Sequence, residues 1–554
     1  MLAEQTGVQS FIRIVISSEP NASSRKKNTK PREKKGKYLH DLNSRINNSG
    51  EVNWGALKQL SDQHKDEEPF DIYDLLLFHK FFNDVCNHKR DKIHQLEEVD
   101  PTTYQALNID EDARKLVEEL NRDFTLPEIT EVIKKLKNNK STSDDLISNE
   151  MLKNSGDKLQ KLLLKLFNNC LNHGTYPWNN SITTPLHKKG DRQNPDNYRA
   201  ITIGSCLGKL FSSLLLKRLL EFREEACPDQ PNQLGFRKGA QCNDHILALN
   251  TIIEKYVKRE KMRVFACFVD FRKAFDSVCR EALLFKLGNM GIEGKFFQCL
   301  KHMYENSTTR IKLIQKLSSA IDVTIGTEQG HPMSPELFKL YVHELSIMLD
   351  DIKELNVPLL NGFKVSHLLW ADDLVLLALD ADSLQKLLNC LHNYAQTWEL
   401  SVNISKTNVM VFNNSSRLLQ CAYGFKLGSM NVTPVSKYCY LGITLSLNGS
   451  FKRAIDDLRK KALRSFFSIR RIIDTRALTT KTMLKLIDSL VKPVATYGCP
   501  VWLHTTNVMK AILSAPTNHD VNIPKAAARD TLETTHLKIL KWILGVHKMA
   551  NNNF

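Results

Sequence analysis

Three aspartates carry the chemistry that this sequence can support most readily. Asp372 and Asp373 stand side by side in "LLWADDLVLLALD" (368–380), an otherwise almost wholly apolar run. Two like charges roughly 4 Å apart repel by about 4 kcal/mol at an effective dielectric near 20, and burial adds a desolvation cost to each. A tight turn with both side chains in water would avoid that cost. The other solution is a bound cation, which cancels the repulsion. A third acid, Asp270, lies 102 residues upstream at the end of the apolar stretch "FACFVD". A strand-end acid and a hairpin-turn pair can meet on adjacent strands and hold two divalent cations. Such a pair of ions, roughly 3.5–4 Å apart, activates a hydroxyl and stabilises a leaving pyrophosphate in an in-line displacement. Magnesium suits the task, because it takes oxygen ligands and leaves positions for substrate phosphates.

The elements that must position these acids are legible as patterns. "RVFACFVDF" (263–271) reads as a buried strand, and the two apolar arms about Ala371, Asp372 and Asp373 read as a hairpin. Leu384, Leu387, Leu388, Leu391 and Trp398 share one helical face just downstream. "SPELFKLYVHELSIMLD" (334–350) is expected to be one helix, with Ser334 as its N-cap and Pro335 as its first helical residue. Further helices are expected over 158–172 and 207–225, with the loop 185–203 between them. Residues 124–153 read as a helix whose basic end runs into a turn. The pattern first turns helical near Pro69, and from about 451 onward it is helical and basic.

Composition narrows the class. The chain has 554 residues, 42% of them hydrophobic and 25% charged, which is the balance of a globular protein of several folding units. Its net charge of +16 points to a polyanionic partner, with nucleic acid ahead of an anionic membrane. No apolar run reaches the roughly 20 residues needed to cross a bilayer. The first residues do not read as a secretory signal. The twelve cysteines are scattered, with no pair two residues apart, which argues against zinc knuckles and for a reducing compartment. An intracellular protein of the nucleus and/or cytoplasm, not secreted, is expected. Residues 25–37 hold eight bases and one acid and read as a disordered basic arm.

The segments "FVDFRKAFDSV", "GTEQGHPMSPELF", "LLWADDLVLLA", "SVNISKTNVMVF" and "YLGITL", in this order, resemble the palm motifs of reverse transcriptases. Upstream, "PLHKKGDRQNPDNYRAITI" and "NQLGFRKGAQCNDHI", and downstream "LVKPVATYGCPVW", are similar to LINE-type (non-LTR) retrotransposon enzymes in particular. The resemblance runs over about residues 115–548. It implies an RNA-directed DNA polymerase that extends a DNA 3′-end on an RNA template. Its partners would be an RNA template, a DNA primer or target and dNTPs, with no membrane, and it fixes no oligomeric state. Its cofactors would be two Mg2+ ions, with Mn2+ as a substitute. The implied fold is α+β, a right-hand polymerase with an antiparallel RRM-like palm sheet and a helical thumb. Residues 1–114 would form an N-terminal extension, 115–260 the fingers, 261–450 the palm, and 451–554 the thumb and a helical C-terminal segment. No acidic motif set of an endonuclease stands in the first hundred residues, so the resemblance is to the polymerase without that domain.

Residue by residue, the resemblance makes Asp270, Asp372 and Asp373 metal ligands, joined by the backbone carbonyl of Phe271. Phe275 takes the place of the aromatic gate that excludes a 2′-hydroxyl, and Asp276 then serves structure, by capping or pairing. Arg199, Lys188 and Lys189 would contact the triphosphate. Gln329 and Gly330 would support template and nucleotide. Lys406 would protonate pyrophosphate as a catalytic general acid, and Tyr440, Leu441 and Gly442 would form the primer grip. The sequence departs from the family's habit at Trp370, where Tyr or Phe is usual, at Ala200, where Pro is usual, at Ser143, where Gly is usual, and at His331, where Cys is common. His331 is expected to be a tolerated substitution rather than a ligand. Two other readings stay open at this stage: a catalytically silent nucleic-acid-binding remnant of such an element, and, among enzymes, a group II intron maturase.

Overall fold

The computed structural model describes residues 40–41, 43–44, 72–87, 111–314, 316–415, 424–472 and 478–502. The basic arm at 25–37 and the segment from 503 onward lie outside the described residues. The N-terminal part begins with α1 (Ile72–Cys86), α2 (Glu111–Asn121), α3 (Leu126–Lys135) and α4 (Asp157–Asn172). Strands β1 (Asn180–His187) and β2 (Tyr198–Gly204) follow, then helices α5 (Cys206–Ala226) and α6 (Cys242–Ile252). The middle of the chain holds β3 (Val264–Asp270), α7 (Arg280–Asn289), α8 (Gly294–Tyr304), β4 (Thr308–Leu313), β5 (Lys316–Asp322), α9 (Ser334–Tyr341) and α10 (His343–Asp350). After these come β6 (His367–Trp370), β7 (Asp373–Ala378), α11 (Ala381–Thr397), β8 (Asn408–Phe412), β9 (Thr433–Pro434), β10 (Lys437–Tyr440) and β11 (Ile443–Ser446). Helices α12 (Lys452–Ile472) and α13 (Thr480–Leu490) close the part needed here.

Two sheets organise these elements. The first runs β2-β1-β4-β5, with β1 antiparallel to β2 and parallel to β4. The second runs β9-β8-β3-β7-β6 and is antiparallel except for the short β8–β9 pair. Its central strands are apolar throughout because both faces are buried. Side chains alternate along a strand, so Phe265, Cys267 and Val269 of β3 and Leu374, Leu376 and Ala378 of β7 enter one core, with α5, α7, α9 and α11. Val264, Ala266 and Phe268, with Val375 and Leu377, enter a second core, with α6 and the β10–β11 hairpin. By the same alternation Asp270 and Asp373 fall on the second face.

Several boundaries differ from the sequence reading. The expected helix 334–350 is two helices broken at Val342, because the Tyr341 carbonyl accepts a hydrogen bond from the Tyr394 hydroxyl (2.7 Å). Ser334 lies inside α9, whose N-cap is Met333, and its hydroxyl donates instead to Glu328 O at 2.7 Å. The helix expected within 124–153 ends at Lys135, and only a short turn of helix, Asn149–Lys153, follows. Residues 272–277, which carry Phe275, form turns, and α7 begins at Arg280.

Candidate active site

The β3 strand ends at Asp270 and β7 begins at Asp373, and the two face each other directly in the antiparallel ladder. Trp370 pairs with Asp373, so Ala371 and Asp372 alone make the hairpin turn. Ala371 has φ 56°, a left-handed conformation that costs a residue bearing a Cβ roughly 1–2 kcal/mol. The turn is held there by a neighbouring segment. Leu369 N–H donates to Asn232 O (2.9 Å), and Leu234 N–H donates to Leu369 O (3.2 Å). Gly235 then lies flat on the turn: a Cβ on it would come 2.1 Å from Ala371 N.

Electrostatics at the turn follow from that packing. Burial pushes the Asp372 carboxyl up, Asp270 adds to this, and Arg199 and Lys188 pull it back. Burial, then Asp372 and Asp270, push Asp373 up to about 6. The peptide bearing Lys406 is tied to the end of β3, where Asn403 N–H donates to Asp270 O at 2.7 Å. That brings Lys406 Nζ to 3.4 Å from Asp270 Oδ2. Phe271 bridges Val402 between these bonds. Among the described residues no group of three or more His, Cys, Asp or Glu side chains is drawn together tightly enough to hold an ion unaided. The donor chemistry nevertheless fits a hard cation of the kind that takes one or two carboxylates and completes its shell with water and substrate phosphate. The mutual repulsion of Asp270, Asp372 and Asp373 is the feature a cation would relieve.

A second group of residues stands around the carboxylates. Arg199 is exposed on β2, and Lys188 and Lys189 are exposed just beyond the end of β1. Lys188 N–H is bonded to Asn197 O (2.9 Å), and its ammonium is held below its usual range by burial and then by Arg199. Gln329 joins this group through two bonds: its carbonyl accepts from Thr202 N–H of β2 (2.9 Å), and its Nε2 donates to Asp276 Oδ1 (3.1 Å). Gly330 has φ 111°, and a Cβ there would come 2.8 Å from Thr202 O, so this position needs glycine. The Phe275 ring stacks on Phe338 at 4.7 Å between centroids and meets Phe236 edge-on at 6.2 Å. Lys189 shares the loop, but no contact joins its side chain to the carboxylates.

The last group is a hairpin on the second face of the sheet. Leu441 and Gly442, with φ 43° and 84°, make the tight turn between β10 and β11. Tyr497 donates its hydroxyl to Leu441 O at 2.7 Å. Tyr440 is buried and lies within the field of Asp373, which adds to burial in raising its phenol well above the usual range. Its hydroxyl is 3.3 Å from His245 Nδ1, and the His245 ring meets the Trp370 ring edge-on at 5.7 Å. The wide ring at 370 is therefore absorbed by α6.

Sequence reasoning left some of this unassigned. Asp276 takes the pairing role expected of it, with Gln329 as the partner that the sequence did not name. "NQLGF" was recognised only as a motif, yet Gly235 and Phe236 touch the turn and the gate ring. His245 stands in the same quoted motif, "NQLGFRKGAQCNDHI", with no role assigned to it. His331 is partly buried, with its ring 3.0 Å from Ser212 Oγ and edge-on to Tyr176, and desolvation holds its imidazole down at about 3.

Residues 186–445 match the family model described as reverse transcriptase (RNA-dependent DNA polymerase). Over this segment the chain is similar to reverse transcriptases. The chain is 25% identical over 392 residues to the RNA-directed DNA polymerase from mobile element jockey of Drosophila funebris, covering 68% of this chain and 41% of that protein. It is 24% identical over 422 residues to a probable RNA-directed DNA polymerase from transposon X-element of Drosophila melanogaster, covering 74% and 44%. It is 27% identical over 339 residues to a Pol polyprotein from type-1 retrotransposable element R2 of Popillia japonica, covering 59% and 45%. The chain thus spans less than half the length of these curated relatives. Every candidate site residue named from the sequence lies inside the matched segment, whereas Tyr497, α1, α12 and α13 lie outside it. No helix among the described residues is long and apolar enough to cross a membrane.

Proposed function

We propose that this protein is the RNA-directed DNA polymerase of a non-LTR retrotransposon, extending a DNA 3′-end with dNTPs on an RNA template. The observation that carries the reading is the pairing of Asp270 with Asp373 at the mouth of one hairpin, beside Asp372, Arg199, Lys188 and Lys406. In this reading the second sheet belongs to the palm of a right hand (261–450), β1 and β2 with α2–α6 belong to the fingers (115–260), and α12 and α13 begin the thumb. An intracellular setting, nuclear or cytoplasmic, belongs to the same reading.

Asp270, Asp372, Asp373 and the Phe271 carbonyl would hold two divalent cations, magnesium with manganese as substitute. When bound, these supply a lowered pKa for the primer hydroxyl and charge neutralisation for the leaving pyrophosphate. The chain's own residues do the rest. Arg199 presents a guanidinium fork to the triphosphate, and Lys188 and Lys189 add positive charge on the same loop. Phe275, fixed on Phe338, packs where a ribose 2′-hydroxyl would have to sit. Gln329, oriented by Asp276, and Gly330, whose backbone lies against β2, support the nascent pair. Lys406 is exposed enough to leave Asp270 and give its proton to pyrophosphate. Tyr440, Leu441 and Gly442 face the primer end.

The test is primer extension by the purified protein on poly(rA)/oligo(dT) with dTTP and magnesium. Labelled product is expected, and none from folded protein would leave a silent nucleic-acid-binding remnant as the reading. In that assay Arg199→Ala should raise the KM for dTTP by about tenfold or more with a smaller change in kcat, as loss of a charge-assisted bond to the bound nucleotide predicts.

A further inference from the structure

Phe236 is a large apolar residue that the fold leaves 46% exposed, and it holds a left-handed backbone with φ 61°. Both features are unfavourable, and neither is explained by core packing. Its neighbours supply the explanation. The preceding residue, Gly235, rests on Ala371 N, and the two residues before that are paired with β6 through Leu369. The ring itself meets the Phe275 ring edge-on, at 84° and 6.2 Å between centroids. This is the favoured geometry for an aromatic pair. Phe275 is thereby gripped from two sides. On one side is Phe338, fixed in the core at 1% exposure; on the other is a ring whose backbone is bonded to the carboxylate hairpin.

We propose that Phe236 is a positioning residue for sugar selection: it holds the Phe275 ring at a fixed distance from the Asp372 turn, so that the gate and the carboxylates move as one unit. The inference rests on the polymerase reading and deepens it. A gate works by excluding one oxygen atom, so a ring free to rock by a fraction of an ångström discriminates poorly even though it is still present. Phe338 backs the Phe275 ring from the core, and a gate also needs a tie to the turn where the sugar must lie. Phe236 supplies that tie, which accounts for the exposed ring, the left-handed backbone and the need for glycine at 235.

The experiment measures kcat/KM for dTTP and for UTP on poly(rA)/oligo(dT), in wild type, Phe236→Ala, Phe236→Leu, Phe236→Tyr and Phe275→Val. Phe236→Ala and Phe236→Leu are expected to lower the dTTP:UTP ratio by about tenfold or more, chiefly by admitting UTP, because a hydrophobic pocket discriminates by contacts of about this size. Phe236→Tyr, which keeps the ring edge, should stay near the wild-type ratio. The double variant Phe236→Leu with Phe275→Val should be no less selective than Phe275→Val alone, because the tie has nothing left to hold. A merely structural residue would lower the melting temperature and both rates together, with the ratio unchanged. An unchanged ratio in active Phe236→Ala and Phe236→Leu overturns the inference and leaves the polymerase reading standing. A folded wild type that makes no DNA overturns both.

Discussion

Asp276 lies near Arg199, Lys188 and Lys273, which should keep a carboxyl strongly acidic, yet burial wins and pushes it up to about 6. Its folded value therefore stands above the unfolded value near 3.9, so the native state binds the proton more tightly. Stability is then lost as pH rises from about 4 to about 6, and above 6 the ionised form carries the whole desolvation cost. Asn at this position keeps an oxygen to accept from Gln329 Nε2 and removes the charge. Asp276→Asn is expected to melt higher than wild type at pH 7.5, and the gap should narrow as the pH falls to 5. Calorimetry at the two pH values checks this, and equal melting at both would show that the basic neighbours outweigh burial. How much a sequence discloses at this scale depends on whether a residue violates its local surroundings. Asp372 and Asp373 stand out because charge interrupts an apolar run. Asp270 stands out because it ends one. Asp276 does not, because its partner Gln329 lies 53 residues away and only the fold brings them together. Phe236 hides for the same reason, since an aromatic residue after glycine looks like any loop residue.

The helices that back the second sheet are joined by a buried cation. Lys286 of α7 is fully buried, paired with Glu344 of α10, 3.0 Å from the Tyr394 hydroxyl, and 3.7 Å above the Trp398 ring. Burial holds its ammonium down at about 8, with Glu344 opposing. Removing it leaves the Glu344 carboxylate without its cation and empties an aromatic cage, so Lys286→Ala should cost about 3 kcal/mol in urea unfolding. A cost below about 1 kcal/mol would mean that Glu344, which is partly exposed, is satisfied by water. At the other sheet, α1 inserts Phe78 fully buried against Tyr198, ring edge to face at 4.9 Å, one residue before Arg199. Phe78→Ala should lose about 3 kcal/mol or more, read in the same way. Strands β3, β6 and β7 were legible as apolar runs and the α11 face as a heptad-like stripe, because one rule, burial, governs them, whereas most of β2 and the end of β1 fall in the stretch 185–203 expected to be a loop. The break at Val342 was not legible, since the periodicity runs through it unaltered and the cause is a hydroxyl from Tyr394. Nor does anything in the composition of α1 reveal which sheet it covers.

At the scale of the whole molecule, the two sheets divide the work. The first carries Arg199, Lys188 and the strand that anchors Gln329; the second carries the three acids; and the turns after β3 join them through Asp276 and Gln329. The net charge of +16 and the basic α12 are of the kind that favours a polyanionic partner. In the proposed reading Asp270, Asp372 and Asp373 together perform nucleotidyl transfer on an RNA template. It is tested most directly by comparing wild type with Asp372→Asn in primer extension on poly(rA)/oligo(dT), with circular dichroism showing that both are folded. The account predicts that wild type synthesises DNA and that Asp372→Asn falls by about a thousandfold or more, the scale of losing a charged group that acts only in the transition state. Equal synthesis by the two folded proteins would contradict it.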